Sequence, residues 1–484
     1  MKFKGIFLLS IFIILLGGSL KAETREISFW QFWPEKWIKP EIERFEKQTG
    51  IKVKIERLTW SNGLNKIITS LAADQAPDVI EIGSTWVVGF SDGGGLQKLA
   101  VDDLKSKLHL FKPAIYKGNT YAVPWTLSTG AVFYNKALLK QANINQIPND
   151  WRQLLTASEK ISGLNEDVYG YGLKTGAYST WQKFMPFAWS NNAKLFDPKT
   201  KEALTTSPEF LNAIKFYKEL KKFSLFDDNL AIRKAFQDGR IGFMVDEPGQ
   251  LAKFKKESPE LNFGVMALPK SPITKKSVSF SGGQMLAITK NSRDFDAANQ
   301  LIRFLIQPEV TSAITNKITT LFPAHKQAIN DPFYQKDHPE LLIFLEILKT
   351  ATSPPSHPRW IEIQEIFSEQ LERIMYDLED EDQAMATAKK DIDEILNEKK
   401  LPEVSSNEIS SGILSKNSIT IILILGIIVL LSVIAYKYYQ LRYKNKLTKA
   451  VVLKKMRYNG NTFLFLLPWL LVFGFFSVFP IIYS

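Results

Sequence analysis

Four short stretches of the sequence place tryptophan beside polar side chains, where predicted strands meet loops. They are "WQFWPEKW" (30–37), "TWSNG" (59–63), "GSTWVVGF" (83–90) and "YAVPWTLSTG" (121–130). An indole offers a flat apolar face, and the amides, hydroxyls and carboxylates around it offer hydrogen-bond donors and acceptors. A pyranose ring, with its apolar C–H face and its rim of hydroxyls, needs both. Any single tryptophan could equally belong to the core, but the set favours a saccharide pocket.

Few residues offer an alternative, catalytic chemistry. Cysteine is absent, and the sequence contains no HExxH motif, no P-loop and no GxSxG nucleophile elbow on a strand-to-helix turn. The stretch "SDGGGL" (91–96) follows a predicted helix and is interpreted as a turn. The four histidines are scattered: His109, His325, His338 and His357. The adjacent acids Asp227–Asp228 and Asp246–Glu247 could form a glycosidase pair, but adjacent loop carboxylates more often face solvent or grip a ligand. The sequence therefore predicts a binding protein, not an enzyme, without a metal or other cofactor.

The net charge of +11 is concentrated at the two ends of the chain. Residues 1–22 contain three lysines, and residues 411–484 contain nine lysines and arginines, with no acid in either segment. The region between them is nearly neutral. The excess charge is therefore expected to flank membrane segments, and nucleic acid is excluded as a partner.

The first 22 residues have the organisation of a signal peptide. A basic start with Lys2 and Lys4 precedes an apolar run from Ile6 to Leu16 and a cleavage pattern ending at Ala22. The alternative is an uncleaved amino-terminal membrane anchor. In both cases the chain that follows is expected to be exported. Without cysteine, the exported part has no disulfide and no lipid anchor on an amino-terminal cysteine.

Two apolar runs near the other end predict transmembrane helices, at 419–436 and 462–484. The first has eighteen uncharged residues, about 27 Å of helix. The intervening loop, 437–461, is rich in lysine and arginine, which places it in the cytoplasm. The sequence stops inside the second run, so the chain is expected to be a fragment or to lack further spans. The polar, serine-rich segment 399–418 is a predicted linker.

The exported part alternates predicted strands and helices. A strand in "REISFW", a helix from about Pro40 to Gly50, the strand "IKVKIERL", another helix and the strand "APDVIEIG" form a β-α-β-α-β unit. Further on, Ser207 is the expected N-cap of one helix, and Asn291 or Ser292 that of another. Residues from about 339 to 398 are expected to be helical. The length suggests two α/β lobes, and ligands of such folds bind at the carboxyl ends of strands, often between domains.

Several of these segments, in this order, resemble one family. "EISFWQFWPEKWIKPEIERFEKQTGIKVKIE", "APDVIEIGSTWVVGFSDGGGLQKL", "YAVPWTLSTGAVFYNKALL" and "AFQDGRIGFMVDEPGQLA" are similar to extracellular solute-binding proteins of sugar ABC transporters, the family of maltose-binding protein. The resemblance covers about residues 26–398. It implies a two-lobed α/β periplasmic-binding-protein fold (type II) with a hinge, here followed by transmembrane helices. Lobe 1 would comprise about 26–128 and 284–325, and lobe 2 about 129–281 and 326–398.

The resemblance also implies which residues contact the ligand. In the first lobe these are Trp30, Gln31, Trp33, Trp60, Ser84 and Trp86. Near the hinge they are Trp125 and Thr126, and further candidates are Trp181, Asp246, Glu247, Gly283 and Trp360. The loop after "IGFMV" reads Asp-Glu-Pro-Gly, where the family usually has a Gly-aromatic pair, so this loop departs from the pattern.

The tail "NGNTFLFLLPWLLVFGFFSVFPIIYS" resembles the first membrane span of a sugar ABC permease. Together the two resemblances imply a membrane-tethered component of an ABC importer in the bacterial inner membrane, with its binding domain on the extracytoplasmic side. It would deliver a carbohydrate, an oligosaccharide in particular, to a fused or associated permease powered by a separate cytoplasmic ATPase subunit. The alternative is the extracytoplasmic sugar-sensing domain of a membrane receptor, which the second span after a short loop does not favour.

Overall fold

The computed structural model describes residues 25–176, 180–318 and 321–398. The predicted signal peptide, the predicted linker 399–418, the predicted transmembrane helices 419–436 and 462–484 and the segment between them lie outside these ranges. Within the ranges, no helix is long and apolar enough to cross a membrane.

Fifteen strands are found in the described ranges. They are β1 Glu26–Gln31, β2 Lys52–Arg57, β3 Val79–Gly83, β4 Ile115–Tyr116, β5 Asn119–Thr120, β6 Val123–Thr129, β7 Ala131–Asn135, β8 Tyr169–Lys174, β9 Phe196–Asp197, β10 Glu202–Ala203, β11 Ser224–Asp227, β12 Ile241–Asp246, β13 Phe263–Met266, β14 Ser281–Ile288 and β15 Phe322–Pro323. Two pairs, β4–β5 and β9–β10, are short separate hairpins. The others form two mixed sheets.

Helices connect and cover these strands. The α-helices of the described ranges are Glu35–Thr49, Gly63–Ala72, Val87–Asp92, Lys136–Gln141, Trp151–Ser162, Thr180–Ser190, Pro208–Lys221, Asn229–Gln237, Gly249–Glu257, Phe295–Leu305, Pro308–Ile318, Leu342–Leu348, Trp360–Met375 and Glu381–Asn397. Each sheet with the helices that cover it forms one lobe, and one apolar cluster joins Leu127 and Phe322 of the first sheet to Phe133 and Met244 of the second.

The first sheet has the order β15-β6-β14-β3-β1-β2. Strand β1 runs parallel to β2 and β3, whereas β14 runs antiparallel to β3 and β6. Its core buries Phe29 and Phe45, together with Phe304 from the helix Phe295–Leu305. The second sheet has the order β11-β8-β12-β7-β13, with β8 parallel to β11 and β12.

The chain passes between the two sheets at a narrow waist. Gly130 separates β6 from β7, and the segment before β14 returns to the first sheet. There the Thr129 hydroxyl donates to the Phe280 carbonyl at 2.7 Å, and the Ser279 hydroxyl donates to the Gly130 carbonyl at 2.7 Å. Thr352 pairs with Phe280 beside them. A few backbone segments therefore form a hinge, the usual basis of domain closure.

Local signals in the sequence account for several helix ends. Gly50 adopts φ 73° after the first helix, the left-handed C′ position that glycine favours. The Ser207 hydroxyl accepts a hydrogen bond from the Phe210 amide and caps the helix Pro208–Lys221, as predicted.

Three expectations about helices were wrong. The first helix begins at Glu35, before Pro40, because Ile38 is already buried against the core. Asp294 caps the helix Phe295–Leu305, whereas the Ser292 hydroxyl binds Asp78 at 2.9 Å. Residues 339–398 are not one helical region, because the segment 349–359 contains prolines that cannot donate a backbone hydrogen bond.

A buried ion cluster links three elements of the second lobe. Asp246, the last residue of β12, accepts bonds from Lys174 Nζ at 2.6 Å and from Arg233 Nη2 at 2.7 Å. Lys174 ends β8, and Arg233 lies in the helix Asn229–Gln237. Burial raises the pKa of Asp246, but the two cations outweigh burial and hold that pKa well below its usual range. The carboxylate therefore stays ionised and fixes this helix to the sheet.

Neutralising Asp246 should strongly destabilise the domain. In Asp246→Asn the two cations lose their shared counter-charge, and we expect the free energy of unfolding of residues 23–398 in urea to fall by about 3–5 kcal/mol. Asp238→Asn is the control, because Asp238 pairs with Lys234 at the surface, and it should change that free energy by less than about 0.5 kcal/mol. A loss below about 1 kcal/mol in Asp246→Asn would contradict the role of the cluster.

Candidate functional site

A cleft of about 800 Å³ lies between the two lobes. The first lobe contributes Trp33, Trp60, Leu64, Gly83, Ser84, Thr85 and Trp86; the second contributes Thr175, Gly176, Trp181, Gln182, Lys183, Pro186, Asp228, Asn229, Leu230, Val245 and Glu247. The segments 128–130, 279–280 and 282–284 also line it. Loops that follow the parallel strands supply most of each wall, as is usual for α/β folds.

The wall of the first lobe is aromatic. Trp60 stacks on Phe32 with ring centroids 4.1 Å apart and an interplanar angle of 16°. Trp86 lies 5.7 Å from Trp60 at 59°. A Cβ on Gly63 would come within 2.5 Å of the Phe32 ring, so glycine allows the stack to form against the helix Gly63–Ala72. With 46% of its surface exposed, Trp60 presents an open indole face.

Glu81 supports this wall from behind. It is fully buried in β3 and accepts bonds from the Phe32 amide and from Trp33 Nε1, both at 2.8 Å. Burial raises the pKa of Glu81 to about 8, although the two hydrogen bonds partly counteract it. No cation is among the partners that shift this pKa, so at neutral pH the side chain is mostly the uncharged acid.

The wall of the second lobe, called the polar wall below, carries the charged side chains that line the cleft, beside several apolar ones. The side chain of Lys183 is 9% exposed, and its Nζ lies 3.5 Å from Oε1 of Glu247, whose side chain is about half exposed. Asp228 caps the helix Asn229–Gln237 by accepting from the Leu230 and Ala231 amides. Trp181 packs edge-on against Trp360 at 5.2 Å and against Phe280 at 5.7 Å. This wall therefore offers charged donors and acceptors opposite the aromatic surface.

The structure brings seven of the thirteen predicted site residues to the cleft. They are Trp33, Trp60, Ser84, Trp86, Trp181, Glu247 and Gly283. Gly283 sits against the Thr126 backbone, where a Cβ would come within 2.0 Å of the carbonyl oxygen. Ligand contact by these seven remains a prediction.

The other six predicted residues do not line the cleft. Trp30 and Gln31 belong to β1 and are buried, and Trp125 lies in the first core, 6.2 Å from Phe29. Thr126 is buried, with its hydroxyl bonded to Gln284. Asp246 belongs to the ion cluster and Trp360 lies behind Trp181. Side chains within a strand alternate between faces, so proximity to a strand end does not place a residue on the cleft.

Sequence reasoning missed Lys183, Leu230 and Gln284. Lys183 and Leu230 lie in the first turns of the helices Thr180–Ser190 and Asn229–Gln237, and neither belongs to a recognisable motif. Asp228 was noted only as half of an acidic pair. An available signal was its position directly after β11 and before a helix, since the helix N-termini that follow parallel strands commonly border ligand sites.

Glu81 should give the domain a characteristic pH dependence. Its folded pKa of about 8 lies above the unfolded value of about 4.3, so its contribution to stability is complete below the unfolded pKa and is lost as pH rises through 8. In Glu81→Gln, the free energy of unfolding should be lower than wild type at pH 5, by about 1 kcal/mol for one lost acceptor. The difference should vanish or reverse at pH 9.

Urea unfolding at pH 5 and pH 9 measures this effect. The control Glu159→Gln changes an exposed helical carboxylate and should follow the wild-type curve. If Glu81→Gln also parallels wild type at both pH values, Glu81 is not the uncharged acid inferred above.

Comparison with known proteins gives a family match over most of the domain. The family model for bacterial extracellular solute-binding proteins matches residues 42–340. A putative binding protein of Brucella abortus is 27% identical over 363 residues, which cover 72% of this chain and 86% of that protein. The diacetylchitobiose binding protein DasA of Streptomyces coelicolor is 24% identical over 355 residues, covering 68% of this chain and 79% of that protein.

Solved structures show the same fold. The GacH receptor of Streptomyces glaucescens, solved unliganded and with acarbose, aligns with a TM-score of 0.69 at 23% identity, over 78% of this chain and 100% of that one. The sugar-binding protein MalE of Xanthomonas citri aligns at 0.68 and 24% identity, over 77% and 97%. The two-lobed periplasmic-binding-protein fold is therefore confirmed for the described residues. With the family model covering more than half of its length, the chain belongs to the bacterial extracellular solute-binding protein family.

Proposed function

We propose that this solute-binding protein captures an oligosaccharide for an ABC importer. The observation that carries the proposal is the cleft, whose one wall is aromatic and whose other wall is polar. Trp60 and its neighbours offer an apolar surface to the C–H face of a sugar ring. Lys183, Asp228 and Glu247 offer donors and acceptors to its hydroxyls. Two different surfaces on facing lobes suit a ligand that is itself apolar on its faces and polar at its rim.

The size of the cleft supports an oligosaccharide over a single sugar. A volume of about 800 Å³ lies in the upper part of the range of about 300–1,000 Å³ found for small-molecule pockets. Two relatives are named for oligosaccharides: the diacetylchitobiose binding protein above, and a maltotriose-binding protein of Pyrococcus abyssi that is 26% identical over 308 residues. Both names are consistent with a cleft that accepts more than one ring.

In the proposed mechanism, the sugar first stacks on the exposed indole of Trp60. Rotation about the waist at Gly130 and Phe280 then brings the polar wall onto the hydroxyls. The ligand stabilises the closed form because only that form contacts it with both walls, which shifts the population from open to closed. No residue undergoes covalent chemistry in this cycle.

We further propose that the chain is tethered to the inner membrane beside its permease. This part rests on the sequence: the spans 419–436 and 462–484, and the resemblance of the tail to a permease. A random-coil segment of about twenty residues has an r.m.s. span of about 25 Å. Such a tether holds the binding domain at an effective concentration near the millimolar range. A separate ATPase subunit would drive release, because no nucleotide-binding motif occurs in this chain.

Removing the exposed indole should weaken sugar binding. In Trp60→Ala the open aromatic face is lost, and we expect the dissociation constant of residues 23–398 for the best ligand of a saccharide panel to rise about 10- to 100-fold. Trp60→Phe keeps a smaller aromatic face and should retain intermediate affinity. Calorimetric titration provides the measurement, with intrinsic tryptophan fluorescence as a second readout. If wild type is folded and binds none of the saccharides, the proposed ligand class is wrong.

Cutting the tether should reduce transport at low expression. We expect uptake of the identified sugar to fall when a protease site in 399–418 is cleaved, and to recover when the free domain is oversupplied. A protease site that is present but uncleaved is the control. Unchanged uptake after cleavage at low expression would rule out a role for local concentration.

A further inference from the structure

Leu230 has an exposure that folding does not explain. It is 72% exposed, the highest value among the large apolar side chains of residues 25–176, 180–318 and 321–398 that are exposed. It also lines the cleft, on the wall of the second lobe that carries Lys183, Asp228 and Glu247. Because it is exposed in the unliganded protein, this apolar side chain contributes little hydrophobic free energy to folding. A ligand that covers the side chain would remove this apolar surface from water and so stabilise the complex.

Hydrogen bonds hold the backbone that carries Leu230. Its amide donates to Asp228 Oδ1 at 2.7 Å, and the Ala231 amide donates to the same oxygen at 2.8 Å. One turn further along the helix, Arg233 holds both carboxylate oxygens of Asp246. Leu230 is therefore presented at a fixed place, which is what selective contact with a ligand requires.

Trp60 occupies the corresponding place in the first lobe. One face of its indole is covered by Phe32, and Trp86 lies to one side at 59°. Trp60 follows β2, and Leu230 follows β11. Each of these strands is the last of its sheet, separated from the waist strands β6 and β7 by the intervening strands. Since closure rotates the lobes about the waist, both residues belong to the positions that move most.

We propose that Leu230 is a specificity-determining residue: in the closed protein, Leu230 and Trp60 hold one pyranose ring of the saccharide between them. This inference rests on the proposed function and concerns the ring at the outer part of the cleft. Trp60 covers one face of that ring and Leu230 covers the other. Both contacts are apolar, so both faces of the ring must be apolar as well.

That requirement selects a stereochemical class. A pyranose whose ring hydroxyls are all equatorial, as in glucose, presents C–H groups on both faces. An axial hydroxyl, at C2 in mannose or at C4 in galactose, would point toward one of the two apolar side chains. It would then lose water without gaining a partner, a cost comparable to that of an unsatisfied buried polar group. The protein should therefore prefer gluco-configured rings at this position.

The test compares, within each linkage type, disaccharides that differ only in the configuration at C2 or C4. Residues 23–398 are titrated by calorimetry with gluco-, manno- and galacto-configured disaccharides, in both α-1,4 and β-1,4 linkage. This part of the chain matches the full length of solved relatives and forms one compact unit. Wild type should bind the gluco form tightest. In Leu230→Ala, affinity for the gluco form should fall about tenfold and affinity for the other two by less than about twofold.

The matched control is Leu378→Ala. Leu378 is 67% exposed in the same lobe but does not line the cleft, so this variant should bind every sugar as wild type does. Leu230→Ala should melt at the wild-type temperature without ligand. Equal loss for all three configurations, or no loss, would overturn the inference and leave the proposed function standing. Binding of no saccharide by wild type would overturn both.

A double-mutant cycle tests whether Trp60 and Leu230 contact the same ring. In the Trp60→Ala background, the effect of Leu230→Ala on gluco affinity should shrink to less than about twofold, because the ring is no longer held from the other side. An undiminished tenfold effect would place Leu230 on a different part of the ligand and overturn the pairing.

Discussion

A buried carboxylate near the carboxyl end of an inner strand supports each wall of the cleft. Glu81 in β3 holds the loop that carries Phe32 and Trp33, and Asp246 at the end of β12 holds the helix that begins beside Asp228. Burying a carboxyl group is costly unless its hydrogen-bonding capacity is used. The backbone amides and side chains that donate hydrogen bonds to these two groups are therefore held in place. Their positions in turn fix the loop and the helix that form the cleft walls.

The two carboxyl groups are accommodated by different physical means. Asp246 has two cations within hydrogen-bonding distance and remains charged. Glu81 is bonded by an amide and an indole, neither of which carries charge, so burial dominates and the uncharged acid is favoured. The second lobe consequently contains an ionic cluster behind its polar wall. In the first lobe, the buried carboxyl group behind the stacked rings of Phe32 and Trp60 is mostly the uncharged acid at neutral pH.

The difference between the walls has a consequence for closure. An aromatic surface alone binds a sugar face but leaves the hydroxyls unpaired, and a polar surface alone must compete with water for those hydroxyls. A ligand that satisfies both surfaces has to bring the lobes together. The narrow waist around Gly130 and Phe280 permits that movement, since few backbone segments have to change conformation. Binding and closure are thus expected to be one coupled equilibrium.

The sequence by itself determined the fold class, the alternation of strands and helices, the caps at Gly50 and Ser207, and the concentration of tryptophan at strand ends. These are local properties, readable from periodicity and from a few residue types. Only the tertiary structure decided that Trp60 and Trp86 line the cleft whereas Trp125 lies in the core, and that Lys183 and Leu230 complete the opposite wall. A side chain's direction at a strand end depends on which face the sheet buries, and the second wall comes from residues that are distant in the sequence. Neither the direction of such a side chain nor the contact between distant segments can be predicted from a short stretch of sequence.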